Sequence, residues 1–290
     1  MPRQALIIGS SGLIAPALAK RMKGLGWHTT ETSRRPSDTV PFDLARPDYS
    51  ALPDRTDAVF LIAAETSLQR CEHEPQATRQ INVITPARIA QRYSAAGTQV
   101  LMISTNLVFD GSTPLTRPEA TRQPGCVYGA QKAELEDALL ALRGPTAVLR
   151  ITKVAESLAA LLVGWARSLQ CGEPVNAFSD MFCAPVSLHG VVEVLAQAAH
   201  QGSSGVLQHS GDRDVTYVDI ARHMCIFLGL PEQLVQPVIS ADFSPAPIAR
   251  PRHTTLAETL PPTFELDGAE DVLKALLPVC RAASRPVARK

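Results

Sequence analysis

ALIIGSSGLIAPALAKRM, residues 5–22, changes its hydrophobic period midway. Ala5 to Ile8 form a short continuous apolar run, which reads as a buried strand, and from Leu13 onward apolar residues recur at helical spacing. Pro16 falls in the first helical turn, where a missing N–H is tolerated. At the junction Gly9, Gly12 and Ala15 stand three apart. Glycines there let backbone N–H groups approach an anion, and the positive end of the helix dipole adds to the attraction. The third position governs helix–strand packing, where alanine is nearly as small as glycine. The pattern predicts a dinucleotide pyrophosphate site, with a plain tight turn as the alternative.

The same alternation continues outward. WHTTETS (27–33), TVPFDL (39–44), DAVFLIAA (57–64), QVLMIST (99–105) and TAVLRI (146–151) read as strands. Residues 74–97, with an irregularity at Pro86, and 128–144 read as helices. Strands alternating with helices predict an α/β fold: a doubly wound parallel sheet covered on both faces. After about residue 151 helical runs are separated by short strand-like pieces and a proline-rich loop, SPAPIARPRHTT (244–255). The expected division is a dinucleotide-binding domain over 1–152 and a small α+β substrate region over 153–290, interleaved with the first.

Lys plus Arg and Asp plus Glu are 28 each, so no net field draws the chain to nucleic acid. No 18-residue apolar run offers a membrane span, and the N-terminus makes a poor signal peptide. Six scattered cysteines without a CxxC pair suit reduced thiols in a cytoplasm. The seven histidines do not cluster, so no metal is expected.

Two further motifs carry chemistry. The second strand should end near the adenosine ribose, where Ser33, Arg34 and Arg35 stand without an acid at the tip. Guanidinium groups suit a 2′-phosphate and favour NADP(H); were Glu31 the true tip, NAD(H) would follow. In CVYGAQKAELE (126–136), Tyr128 stands four residues before Lys132, on one face of a helix. An ammonium one turn away is expected to lower the phenol's pKa, making Tyr128 a proton donor to the oxygen of a reduced carbonyl. Ser104 and Thr105 end the fifth strand, where ligands of parallel sheets sit. Thr105 could polarise that oxygen, or cap the following turn.

GSSGLIA, DAVFLIAA, INV, ISTNLVFDG, YGAQK and LRI occur in the order and spacing of the extended short-chain dehydrogenase/reductases, and over residues 4–260 the chain resembles them. STNLVFDG, DMFCAPV and ARPRHTTL are most similar to the dTDP-4-dehydrorhamnose reductase group. The resemblance implies a Rossmann domain and a catalytic set of Thr105, Tyr128 and Lys132, with Lys132 also holding the nicotinamide ribose. It implies that Ser11, Gly12, Leu13 and Ile14 line the pyrophosphate, Asp43 and Leu44 the adenine, and Ala63 and Ala64 the inner ribose. Asn106 and Phe109 would face the substrate, and a homodimer is implied. Arg250 and Arg252, near the proline loop, could contact a phosphate or carboxylate on the substrate or serve as surface charge. Met181, Cys183, Val186 and His253 depart from the reductase pattern, which leaves a pocket poorer in groups for a nucleotide.

The expected function is an NADP(H)-dependent reductase or dehydrogenase acting on a keto or hydroxy group of a sugar or nucleotide sugar. An epimerase or dehydratase with tightly held NAD is one alternative. A non-catalytic, cofactor-binding regulatory subunit is another.

Overall fold

The computed structural model describes residues 2–34, 39–259 and 268–284. β1 (Gln4–Ile8) runs through the glycine turn into α1 (Ile14–Gly24), and β2 (His28–Ser33) and β3 (Val40–Pro41) follow. β4 (Ala58–Leu61) leads into α2 (Leu68–His73) and α3 (Pro75–Arg79). A wider, π-type turn over Gln80–Ile84 then enters α4 (Thr85–Ala95). The expected single helix over 74–97 is thus interrupted just before Pro86, which has no N–H to continue the ladder. β5 (Gln99–Thr105), α5 (Val127–Leu140) and β6 (Thr146–Ile151) complete the first half.

Beyond it come β7 (Lys153–Val154), α6 (Ala159–Gln170), β8 (Val175–Phe178), β9 (Phe182–Cys183), β10 (Pro185–Val186) and α7 (Leu188–Gln201). β11 (Gly205–His209), β12 (Val215–Thr216), α8 (Tyr217–Leu228), β13 (Val235–Val238) and α9 (Ala269–Ser284) follow. None of these helices is long and apolar enough to cross a membrane.

The central sheet has seven strands in the order β11-β6-β5-β4-β1-β2-β3, every pair parallel. Strand residues alternate between two cores, as the period of two requires. Ala5, Ile7, Ala58, Phe60, Leu101 and Leu149 pack with α1 and α7 on one face. Leu6, Ile8, Val59, Val100, Met102 and Val148 pack with α4 and α5 on the other. A separate core joins α6, α8 and α9 to β8, β12 and β13. The boundary at residue 152 is therefore crossed twice. α7 covers the main sheet, and β11 extends it, Gly205–His209 pairing with Ala147–Ile151. Strand order reverses between β1 and β4, and the crevice outside the carboxyl ends of the strands at such a point is where α/β sheets bind ligands.

Candidate active site

Gly9 sits at that reversal with φ +103°. A Cβ there would stand 2.3 Å from the Cβ of Ala63, in the loop after β4. Conformation and close approach both demand glycine. The loop is pinned by Asn82, whose side chain accepts from Glu65 N–H (2.7 Å) and donates to Glu65 C=O (3.1 Å) and to Gln131 of α5 (2.8 Å). The widened turn before Pro86 is what carries this buried amide. No side chain caps α1 and no acid stands in its first turn. Its leading N–H groups and positive dipole end are therefore left to whatever occupies the cleft.

The cleft holds about 620 Å³ and is lined at this end by Gly9, Ser11, Gly12, Leu13 and Ile14, then by Ser33, Arg34, Asp43, Leu44, Ala63 and Ala64. These residues fit a dinucleotide: an uncapped helix start over a glycine turn, with an arginine at the rim. Glu31 does not line the cleft but pairs with Lys23 at 3.0 Å. Arg35 lies outside the described residues.

At the other end, Thr105 closes β5 opposite Ile151 of β6. Its hydroxyl accepts from Leu107 N–H (3.2 Å), so it caps the following turn and lines the cleft as well. Helix α5 starts on Cys126, whose sulfur accepts from Gly129 N–H at 3.4 Å. Gly129 lets the helix press onto that turn, since a Cβ there would lie 2.1 Å from the Leu107 carbonyl oxygen. This approach carries Tyr128 and Lys132 into the cleft beside Thr105 and Asn106.

Neither the Tyr128 hydroxyl nor the Lys132 ammonium has a hydrogen-bond partner among the described residues. Lys132 is only 4% exposed. Burial pulls its pKa from 10.5 to about 8, against the opposing attraction of Glu136. The expectation for Tyr128 is reversed: its pKa is pushed up, first by burial and then by the nearby Cys71 and Cys126 thiols. Sequence spacing places a cation one turn away but does not reveal desolvation, which disfavours the phenolate more. Tyr128 is thus a neutral phenol at pH 7.

Beneath this pair lies a buried ionic network. Glu136, one turn beyond Lys132, takes Arg150 Nη2 at 2.7 Å, Arg122 Nη1 at 3.1 Å and the Ser104 hydroxyl at 2.5 Å. Ser104 borders the cleft, but its hydroxyl is committed to Glu136.

Two expected substrate residues are corrected. Phe109 is buried in a small core with Val108, Ala133 and Leu256, under the Arg150 guanidinium at 5.0 Å, and does not reach the cleft. Arg250 is exposed outside the cleft. Among the departures noted in the sequence, Met181 and Cys183 line the cleft, whereas Val186 is core. Lys153 and Tyr217 also line it. Sequence reading missed both, although Lys153 follows a strand's carboxyl end, where such residues are to be sought.

An unpaired buried cation weakens the fold. Lys132→Met is expected to raise stability at pH 7 by about 1–3 kcal/mol, a few degrees in Tm. The sign follows from the depressed pKa. Between about pH 8 and 10.5 the unfolded chain holds a proton that the folded chain has lost, so wild-type stability rises with pH across that window. Thermal melts at pH 7 and above pH 10 should show the variant's advantage shrinking to nothing; a variant less stable at both would refute this.

The chain is 26% identical over 263 residues to the dTDP-4-dehydrorhamnose reductase of Mycolicibacterium smegmatis, covering 89% of this chain and 79% of the relative. It is also similar to methionine adenosyltransferase 2 subunit beta of Xenopus tropicalis, 25% over 261 residues, covering 81% and 75%. The fold superposes on the crystal structure of dTDP-4-dehydrorhamnose reductase from Bacillus anthracis in complex with NADP with a TM-score of 0.83 at 18% identity, covering 96% and 100%. The glycine turn and the Tyr128–Lys132 helix fall within residues 3–264, which match the RmlD substrate binding domain; the chain belongs to that family.

Proposed function

We propose that the protein is an NADPH-dependent oxidoreductase that reduces a keto group on a sugar or nucleotide sugar. The observation that carries this is the convergence of Thr105, an unpartnered phenol and an unpartnered buried ammonium in the cleft that begins at the glycine turn. A reduced nicotinamide, when bound, supplies the hydride. Tyr128 gives its proton to the carbonyl oxygen as negative charge develops there. Thr105 donates a hydrogen bond to the same oxygen. Lys132 holds the ribose hydroxyls, and its charge stabilises the phenolate that Tyr128 leaves behind, which Coulomb attraction in a desolvated site favours strongly.

The exposed Arg34 at the rim, with Glu31 drawn away by Lys23, supports NADPH over NADH. The NADP in the Bacillus anthracis structure supports it further. Titration with both dinucleotides tests this. Wild type should bind NADPH more tightly, and Arg34→Ala should weaken NADPH about tenfold or more, leaving NADH unchanged. Binding of neither dinucleotide to wild type would end the proposal.

A cytoplasmic place and a homodimeric assembly belong to the same reading. Six free cysteines suit a reducing compartment. The similarity to methionine adenosyltransferase 2 subunit beta favours a second reading, a cofactor-binding subunit of another protein. Absence of turnover across keto-sugars, with a partner that co-purifies stoichiometrically, would select it.

A further inference from the structure

The cleft presents a cation, Lys153, that the cofactor and the proton transfer leave unused. Lys153 lies two residues past Ile151, the strand partner of Thr105, and lines the cleft. It is exposed there, with no ion pair and no side-chain hydrogen bond among the described residues. Met181, Phe182, Cys183 and Tyr217, all uncharged, line the same cleft. The Cys183 thiol, pushed up to about 12 by burial, is also acted on by the charges of Lys153, which lowers its pKa, and of Asp214, which raises it. Asp214 is not free to neutralise Lys153. It accepts from the Thr254 N–H (2.8 Å) and hydroxyl (2.5 Å) and the Thr255 hydroxyl (3.3 Å), and it faces His253 at 3.6 Å. Ser157 and Thr254 likewise direct their hydroxyls to Val154 and Asp214.

We propose that Lys153 is a specificity-determining residue that pairs with an anionic group, carboxylate or phosphoryl, on the substrate whose carbonyl faces Tyr128. A substrate filling this half of the cleft would take the exposed ammonium out of solvent. A neutral sugar would offer weak replacement, whereas an anion restores a charge-assisted hydrogen bond in an apolar surround. The inference rests on the reductase reading of the site and adds the charge of its substrate.

The test is calorimetric titration of wild type, K153M and K153R, each saturated with NADP+, using dTDP, glucuronate and glucose as probes. An anionic probe should bind K153M about tenfold or more weakly, with partial retention in K153R. Glucose should not distinguish the three proteins, and NADP+ affinity should be equal in all. A loss confined to glucuronate assigns the charge to a sugar carboxylate; a loss confined to dTDP assigns it to phosphoryl groups. Unchanged affinity for both anions overturns the proposal, as does loss of NADP+ binding in K153M, which would give Lys153 to the cofactor. Failure of wild type to bind NADP+ overturns the reductase reading itself.

Discussion

Tyr128→Phe should lower kcat for NADPH-dependent reduction of a carbonyl substrate about 100- to 10,000-fold while leaving NADPH affinity within a factor of two or so. The phenyl ring keeps the packing, so the loss isolates one proton. In this reading Lys132 is held by the ribose hydroxyls rather than by the carbonyl oxygen. Thr105 is a weaker acid engaged as a turn cap, and Glu136 is saturated by Arg150, Arg122 and Ser104. The pH profile separates acid from cation. Because the phenol's pKa is pushed up, wild type keeps its proton donor well above neutrality. Lys132, at about 8, loses its charge first, so the reductive rate should fall through pH 8 and above. Steady-state rates with fluorescence titration of NADPH check both limbs. A variant within threefold of wild type would remove Tyr128 from the chemistry.

What was legible in the sequence follows the range of the interactions involved. β5 and β6 match their expected bounds because each is a continuous apolar run between turn residues. The expected third strand shrinks to Val40–Pro41, since Pro41 gives no N–H to a ladder. The glycine turn and the Tyr128–Lys132 pair were readable because both are local: a junction and one helical turn. β11 was read as part of the substrate region. Its pairing with β6 spans 58 residues, as between Gly205 and Ala147, and no local pattern encodes it. Phe109 was misread for a similar reason: its neighbours Ala133, Arg150 and Leu256 are distant in sequence, and they make it core. The raised pKa of Tyr128 depends first on burial and then on the nearby Cys71 and Cys126 thiols, which only the folded chain brings together.

Arg150→Met is expected to cost about 3–5 kcal/mol and to lower turnover along with stability. Arg150 and Glu136 are 2% and 0% exposed. The guanidinium bonds both Glu136 oxygens through Nε at 3.1 and 3.2 Å and reaches Pro118 C=O at 2.8 Å and Gln208 at 3.3 Å. Removing it strands a desolvated carboxylate with only Arg122 and Ser104 for support, and it frees the loop at Pro118. Ser104 adjoins Thr105, and Glu136 is one turn from Lys132, so the network sets where the hydroxyl, phenol and ammonium meet. If its role is placement more than stability, Glu136→Leu combined with Arg150→Met should regain most of the lost stability. A buried pair replaced whole by apolar groups leaves no orphaned charge. Turnover should stay depressed in that double variant, because nothing then ties Ser104 to helix α5. Chemical denaturation with kcat for the two variants decides the matter. An Arg150→Met protein with the wild-type midpoint and the wild-type kcat would show that the pair carries neither burden, and full activity in the double variant would leave the geometry to packing alone.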